Sequence, residues 1–89
     1  MYEVIFTRRA HHDYDKLSPA DLDRIDATFD RLKNSPRPPG TKKIRGNIYR
    51  IRIGNWRIIY AVFNKDKLVI IGKIVRRSED TYDRVKDLF

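Results

Sequence analysis

Cysteine is absent from the sequence, so neither disulfides nor thiolate metal sites are open to it, and a reducing compartment is the expected setting. There is no apolar run of about 18 residues, and no charged start leading into a short apolar stretch; neither a membrane-spanning helix nor a secretory leader is expected. Repeats and low-complexity segments are missing too. Histidine is scarce: His11 and His12 are the two copies, and both fall in an early polar stretch where a surface or helix-packing role is the ordinary one. Acidic residues are outnumbered, 12 Asp and Glu against 20 Lys and Arg, for a net charge of +8. A surface of that sign draws phosphate backbones by steering and by counterion release, so nucleic acid or an acidic protein is the expected partner. The 89 residues read as one domain, residues 1–89, whose core is small enough that a charge-crowded site takes a large share of its stability. A cytoplasmic protein is expected, with no metal, no cofactor and no membrane, and nothing indicates a homo-oligomer.

Residues 2–7 (YEVIFT) are rich in β-branched and aromatic side chains and read as a strand, followed by a short helix over the polar run 8–16. Ser18 can cap a second helix, with Pro19 at its first position and Asp21 in the capping-box place. Leu22, Ile25, Phe29 and Leu32 then recur at helical spacing, which predicts an amphipathic helix ending near Asn34. Three prolines and a glycine in residues 35–41 (SPRPPGT) bar a helix or a central strand and predict a surface connection. Residues 47–53, 56–63 and 67–75 are β-rich runs joined by Gly54-Asn55 and by the polar residues 64–67, both good hairpin turns. Residues 78–89 open on a capping Ser78 and carry Tyr82, Val85, Leu88 and Phe89 at roughly helical spacing. The expected fold is α+β: a small antiparallel sheet built from a strand, two helices and a three-stranded meander, with the helices packed on one face and a short C-terminal helix.

A two-residue turn at Gly54-Asn55 pairs Ile53 with Trp56, Arg52 with Arg57 and Arg50 with Ile59. Tyr49, Ile51, Ile53, Trp56, Ile58, Tyr60 and Val62 then share an apolar face for the helices to cover, while Arg50, Arg52 and Arg57 share the other. A second turn centred on Lys65-Asp66 pairs Arg57 with Ile74 and brings Arg76 to the same end of the arginine face. Like charges directly opposite are destabilising, so a bound polyanion explains the cluster better than stability does. The competing reading is ordinary solvation of an exposed sheet face.

The run YRIRIGNWRIIY (residues 49–60), followed by a strand ending in VRRSEDTY (residues 75–82), is similar to the signature of RelE-type toxins of the RelE/ParE superfamily. The order of elements matches that family over essentially the whole chain. The resemblance implies the toxin of a toxin–antitoxin pair, acting as a ribosome-dependent, metal-independent endoribonuclease. Such an enzyme cuts mRNA in the A site by attack of a ribose 2′-hydroxyl on the adjacent phosphate. Carried over residue by residue, Arg50 and Arg52 stand where two strand lysines are often found, and Arg57 matches the arginine of the next strand. Arg76 matches the arginine after the last strand, and Tyr82 the tyrosine six residues on. Guanidinium forks suit the charge of a phosphorane-like transition state. Arginine, however, holds its proton too tightly to serve as an ordinary base, so the replacement of the lysines leaves the base unassigned. Glu79 and Asp80 are the nearest carboxylates in sequence, although the start of a helix is their commoner use.

Lys42, Lys43 and Arg45, with Arg77, are expected to contact RNA or the ribosome, plain solvation being the competing reading of the run 42–45. Trp56 and Tyr60 follow the period of the neighbouring isoleucines and belong to the core face. The partners that the resemblance implies are a cognate antitoxin, laid over the basic face, and the ribosome with its mRNA. Two other functions stay open at this point: a ParE-like inhibitor of DNA gyrase, and a non-catalytic RNA- or ribosome-binding module.

Overall fold

The computed structural model describes residues 1–76 and 89. Strand β1 (Glu3–Phe6) is followed by helices α1 (Arg8–Asp15) and α2 (Pro19–Asn34), then by strands β2 (Thr41–Arg45), β3 (Ile48–Ile53), β4 (Trp56–Phe63) and β5 (Leu68–Arg76). The helix starts follow from local chemistry. The Thr7 hydroxyl accepts from the Ala10 amide at 3.1 Å and the Ser18 hydroxyl from the Asp21 amide at 3.3 Å, with Pro19 at the first position of α2.

The five strands run in the order β1-β5-β4-β3-β2. β2 to β5 form an antiparallel meander, and β1 joins β5 in parallel. The two helices carry the chain from one edge of the sheet to the other across a single face. There Ile25, Phe29 and Leu32 of α2 and Ala10 of α1 pack on Ile51, Ile58, Tyr60, Val62, Val69, Ile71 and Ile74. Phe6 fixes the corner, its ring edge-on to Phe29 at 5.0 Å and to Tyr14 at 5.4 Å. β4 is the middle strand and is buried on both faces from Ile58 to Val62.

One strand is additional to the expectation. The meander has four strands, because Thr41–Arg45 pairs with β3 at the sheet edge instead of extending the loop. An edge strand needs backbone partners on one side only, so TKKIR forms one without an apolar alternation to announce it. The C-terminal helix expected over residues 78–89 lies outside the described residues.

The proline-rich connection is held down by phenols. The Tyr60 hydroxyl donates to the Pro36 carbonyl at 2.8 Å and lies 3.2 Å from the Thr41 hydroxyl. Arg37 donates to the Tyr49 hydroxyl and to Asn64, both at 3.0 Å, and lies over the Tyr49 ring. Burial pushes the Tyr60 phenol above its ordinary value near 10, against smaller opposing effects of the Thr41 bond and the Arg37 charge. Folding thus favours the neutral phenol. Its contribution is complete below pH 10, where the unfolded phenol is also protonated, and drains away as pH rises through the folded value. Tyr14, raised chiefly by its hydrogen bond to Asp26, acts with the same sign. Urea midpoints should therefore fall between pH 9 and pH 11, and Tyr60→Phe should make that fall shallower while costing about 1 kcal/mol at neutral pH.

Candidate active site

The face of the sheet opposite the helices is divided in two. Toward the β2–β3 turn it is apolar, with Ile48, Ile59 and Ala61 buried and Ile44 and Phe63 packed beside them. Toward the β3–β4 turn it is basic. The turn that sets this register has Gly54 at φ +57° in its first central position, the backbone a type II′ hairpin requires. Ile53 pairs with Trp56, Arg52 with Arg57 and Arg50 with Ile59, so the three arginines share the open face as the sequence pattern predicts. Arg50 is buried at 7% exposure, Arg57 is half-buried and Arg52 is exposed.

β5 departs from the expected register. A shift between Ile59 and Tyr60 makes Arg57 pair with Val75 instead of Ile74, Ile59 with Lys73, and Trp56 with Arg76. Residues on the two sides of the shift therefore exchange faces. Ile71 and Ile74, an odd and an even number, both face the helices. Arg76 consequently leaves the arginine face: its guanidinium lies 4.8 Å from the centre of the Trp56 ring on the helix side. Lys73 takes the place on the open face, half-buried. Reading across the sheet, Lys73, Ile59, Arg50 and Lys42 form one row, and Val75, Arg57 and Arg52 the next.

The extra residue of β5 is Gly72, and α1 holds it in place. The Thr7 hydroxyl donates to the Gly72 carbonyl at 2.9 Å, and the Asp13 carboxylate accepts from the Ile74 amide at 3.0 Å. Asp13 is in turn oriented by Arg9 Nε at 3.1 Å. An isolated glycine in a strand run is the sequence signal for a bulge, and it was the means by which Lys73 could have been recognised. Asp13→Ala leaves a part-buried amide without its charged acceptor and should cost about 1.5–3 kcal/mol by urea denaturation.

Of the other basic residues singled out in the sequence, Lys42 is exposed on the open face opposite Arg50. Lys43 pairs with Tyr49 and so belongs to the helix side, and Arg45 is exposed at an irregularity of β2. Arg77, Glu79, Asp80 and Tyr82 lie outside the described residues. His11 and His12 are exposed on α1, away from the arginine face, with His11 edge-on to Phe6. β2 to β5 contain no carboxylate. More broadly, the chain has no acidic residue between Asp30 and Asp66, a sequence feature that marks the β half as the polyanion-facing one.

Comparisons with known proteins identify the family. A family model for the ParE toxin of type II toxin–antitoxin systems (parDE) matches residues 4–81. The Methanocaldococcus jannaschii protein named RelE1 is 33% identical over 82 residues, covering 86% of this chain and 91% of the relative. The RelE–RelB complex from Pyrococcus horikoshii superposes with a TM-score of 0.77 at 28% identity, over 89% of this chain and 98% of that one. The toxin–antitoxin complex RelBE2 from Mycobacterium tuberculosis gives a TM-score of 0.75 at 27% identity, over 88% and 93%. Fold, family model and relatives coincide, and the chain belongs to the ParE toxin family of type II toxin–antitoxin systems, in the RelE/ParE superfamily.

Proposed function

We propose that this toxin is a ribosome-dependent endoribonuclease that cleaves mRNA in the A site without a metal ion, using Arg50, Arg52, Arg57 and Lys73 on the open face of the sheet. The observation that carries the proposal is the cross-strand placement of three guanidinium groups and one amine around the buried Ile59. Neighbouring strands are about 4.8 Å apart, so Lys73 and Arg50 flank an apolar floor roughly two strand spacings wide, with Arg57 diagonal to both. A ribose–phosphate unit laid over Ile59 would meet cations on both sides.

In this reading the guanidinium groups neutralise the non-bridging phosphate oxygens as a fifth bond forms at phosphorus. Lys73 in its amine form takes the proton of the 2′-hydroxyl. The 2′-oxygen bonds to phosphorus, the P–O5′ bond breaks, and the leaving 5′-oxygen is protonated from solvent, to which Lys73 later returns its own proton. The products are a 2′,3′-cyclic phosphate and a free 5′-hydroxyl. Arg76, turned to the helix side, acts outside this centre, and Tyr82, at the position of the family's tyrosine, stacks on a base or takes part in proton transfer. The cognate antitoxin is the second partner proposed, an acidic or amphipathic segment covering the basic face; the similar Pyrococcus and Mycobacterium structures are complexes of toxin with antitoxin.

Cleavage mapping in a reconstituted translation system tests the reading, comparing programmed ribosomes with naked RNA, with and without a chelator. Chelator-resistant cuts within the A-site codon support it, and intact messenger sinks it. The ParE name of the matching family model favours one second reading, inhibition of DNA gyrase. Loss of supercoiling activity on addition of the toxin, with messenger left intact, would establish that reading instead.

A further inference from the structure

On the helix side of the same end of the sheet, a cavity of about 180 Å³ is lined by Arg9 and Asp13 of α1, by Lys16 at its C-terminal cap, and by Trp56, Ile74, Val75 and Arg76 of the strands. Among the described residues its one carboxylate is committed: Asp13 accepts from Arg9 Nε at 3.1 Å and from the Ile74 amide at 3.0 Å. Among the described residues, three cations therefore face the space against one carboxylate already engaged. The Arg76 guanidinium carbon lies over the Trp56 indole, 4.8 Å from its centre, a cation–π contact that engages the charge through the ring face and not through the N–H donors an oxyanion would use.

The cavity also continues the open face. Trp56 and Arg76 pair with each other, and the pair next to them along the strands is Arg57 with Val75; adjacent pairs point to opposite faces. Between the faces runs the β3–β4 turn, where a Cβ added to Gly54 would lie 2.8 Å from an Arg24 guanidinium nitrogen. Arg52 and Arg57, then Arg24, then Arg76, Arg9 and Lys16 make a band of cations around one end of the sheet. A lone acidic side chain has no use for a band spanning both faces, whereas a polyanion crossing the sheet end does.

We infer that this cavity binds a phosphodiester of the RNA backbone, so that a strand engaged on the open face is held a second time on the helix side. The inference rests on RNA as the partner but not on cleavage. Trp56 is the chain's one tryptophan, so occupancy of the cavity can be followed by its own fluorescence. The probe is a 2′-O-methyl RNA oligonucleotide, whose blocked hydroxyls prevent cutting. Saturable change of Trp56 emission is expected, and Lys16→Gln should weaken binding about tenfold and lower the slope of log affinity against log salt by about 0.7. Lys65→Gln removes the same charge from the β4–β5 turn at the other end of the sheet and should change affinity less than about twofold.

Equal losses in the two variants, with melting temperatures unchanged, would reduce the cavity to part of a general charge effect and overturn the inference. So would a silent Trp56 during titration, or a saturable response to an acidic peptide with none to the oligonucleotide. Because the probe cannot be cleaved, each of these results is independent of whether the chain is a nuclease.

Discussion

Arg57→Ala should lose about 10²–10³-fold in cleavage of ribosome-bound messenger while the protein folds and melts as before. Arg57 lies at the crossing of the two basic rows, opposite Arg52 and diagonal to Arg50 and Lys73. A phosphate over Ile59 cannot be approached on that side by any other arginine of β4. Truncation removes a preorganised donor from the place where charge accumulates in the transition state. It does not open the helix-side core, because the side chain projects from the opposite face. Arg52 and Arg57 are also like charges directly across a strand pair, an arrangement unfavourable in itself, so the variant should lose little stability. Wild-type cleavage by a soluble Arg57→Ala protein would remove the open face from the mechanism.

The second large effect belongs to Lys73. Lys73→Met should lower the rate by about 10²–10⁴-fold, the usual contribution of a positioned proton acceptor. Charge alone predicts that Lys73→Arg rescues the activity; proton transfer predicts that it does not, since a guanidinium holds its proton throughout the working pH range. Lys42→Gln supplies the comparison. Lys42 is the other lysine of the row but is exposed on the edge strand, separated from Arg57 by Arg50, and its loss should lower affinity while leaving the single-turnover rate of bound messenger in place. A Lys73→Arg protein with the wild-type rate would end the assignment.

The sequence made the β3–β4 hairpin legible because two independent constraints agree there. Gly54-Asn55 admits few turn geometries, and the odd-numbered Tyr49, Ile51 and Ile53 must face the core together with the even-numbered Trp56, Ile58 and Tyr60. The capped start of α2 and its end at Asn34 were readable for the same reason, local chemistry and periodicity pointing one way. β2 was not readable, since an edge strand of lysines, isoleucine and arginine buries too little to leave a pattern. The face of Lys73 and Arg76 was lost on a single assumption, that β5 alternates without interruption. Gly72 in the middle of LVIIGKIVR carried the signal. What decides the matter, though, is the grip of Thr7 and Asp13, more than fifty residues earlier in the chain, which no local pattern reports.

A strand works as an odd–even code, and the Gly72 bulge is a parity change written into it. Any comparison that matches toxins of this kind column by column assumes a shared parity, so an arginine in the same column can belong to the reactive face of one protein and to the back of another. The same device gives a cheap evolutionary move. Gain of one residue after the glycine exchanges the whole end of β5 between faces in a single step, turning the amine toward the helices and a guanidinium outward, while the preceding pairs from Phe63 with Leu68 to Tyr60 with Ile71 stay in register. Variation in chemistry among related toxins can thus arise by shifting existing residues from one face to the other, with no catalytic residue invented or discarded.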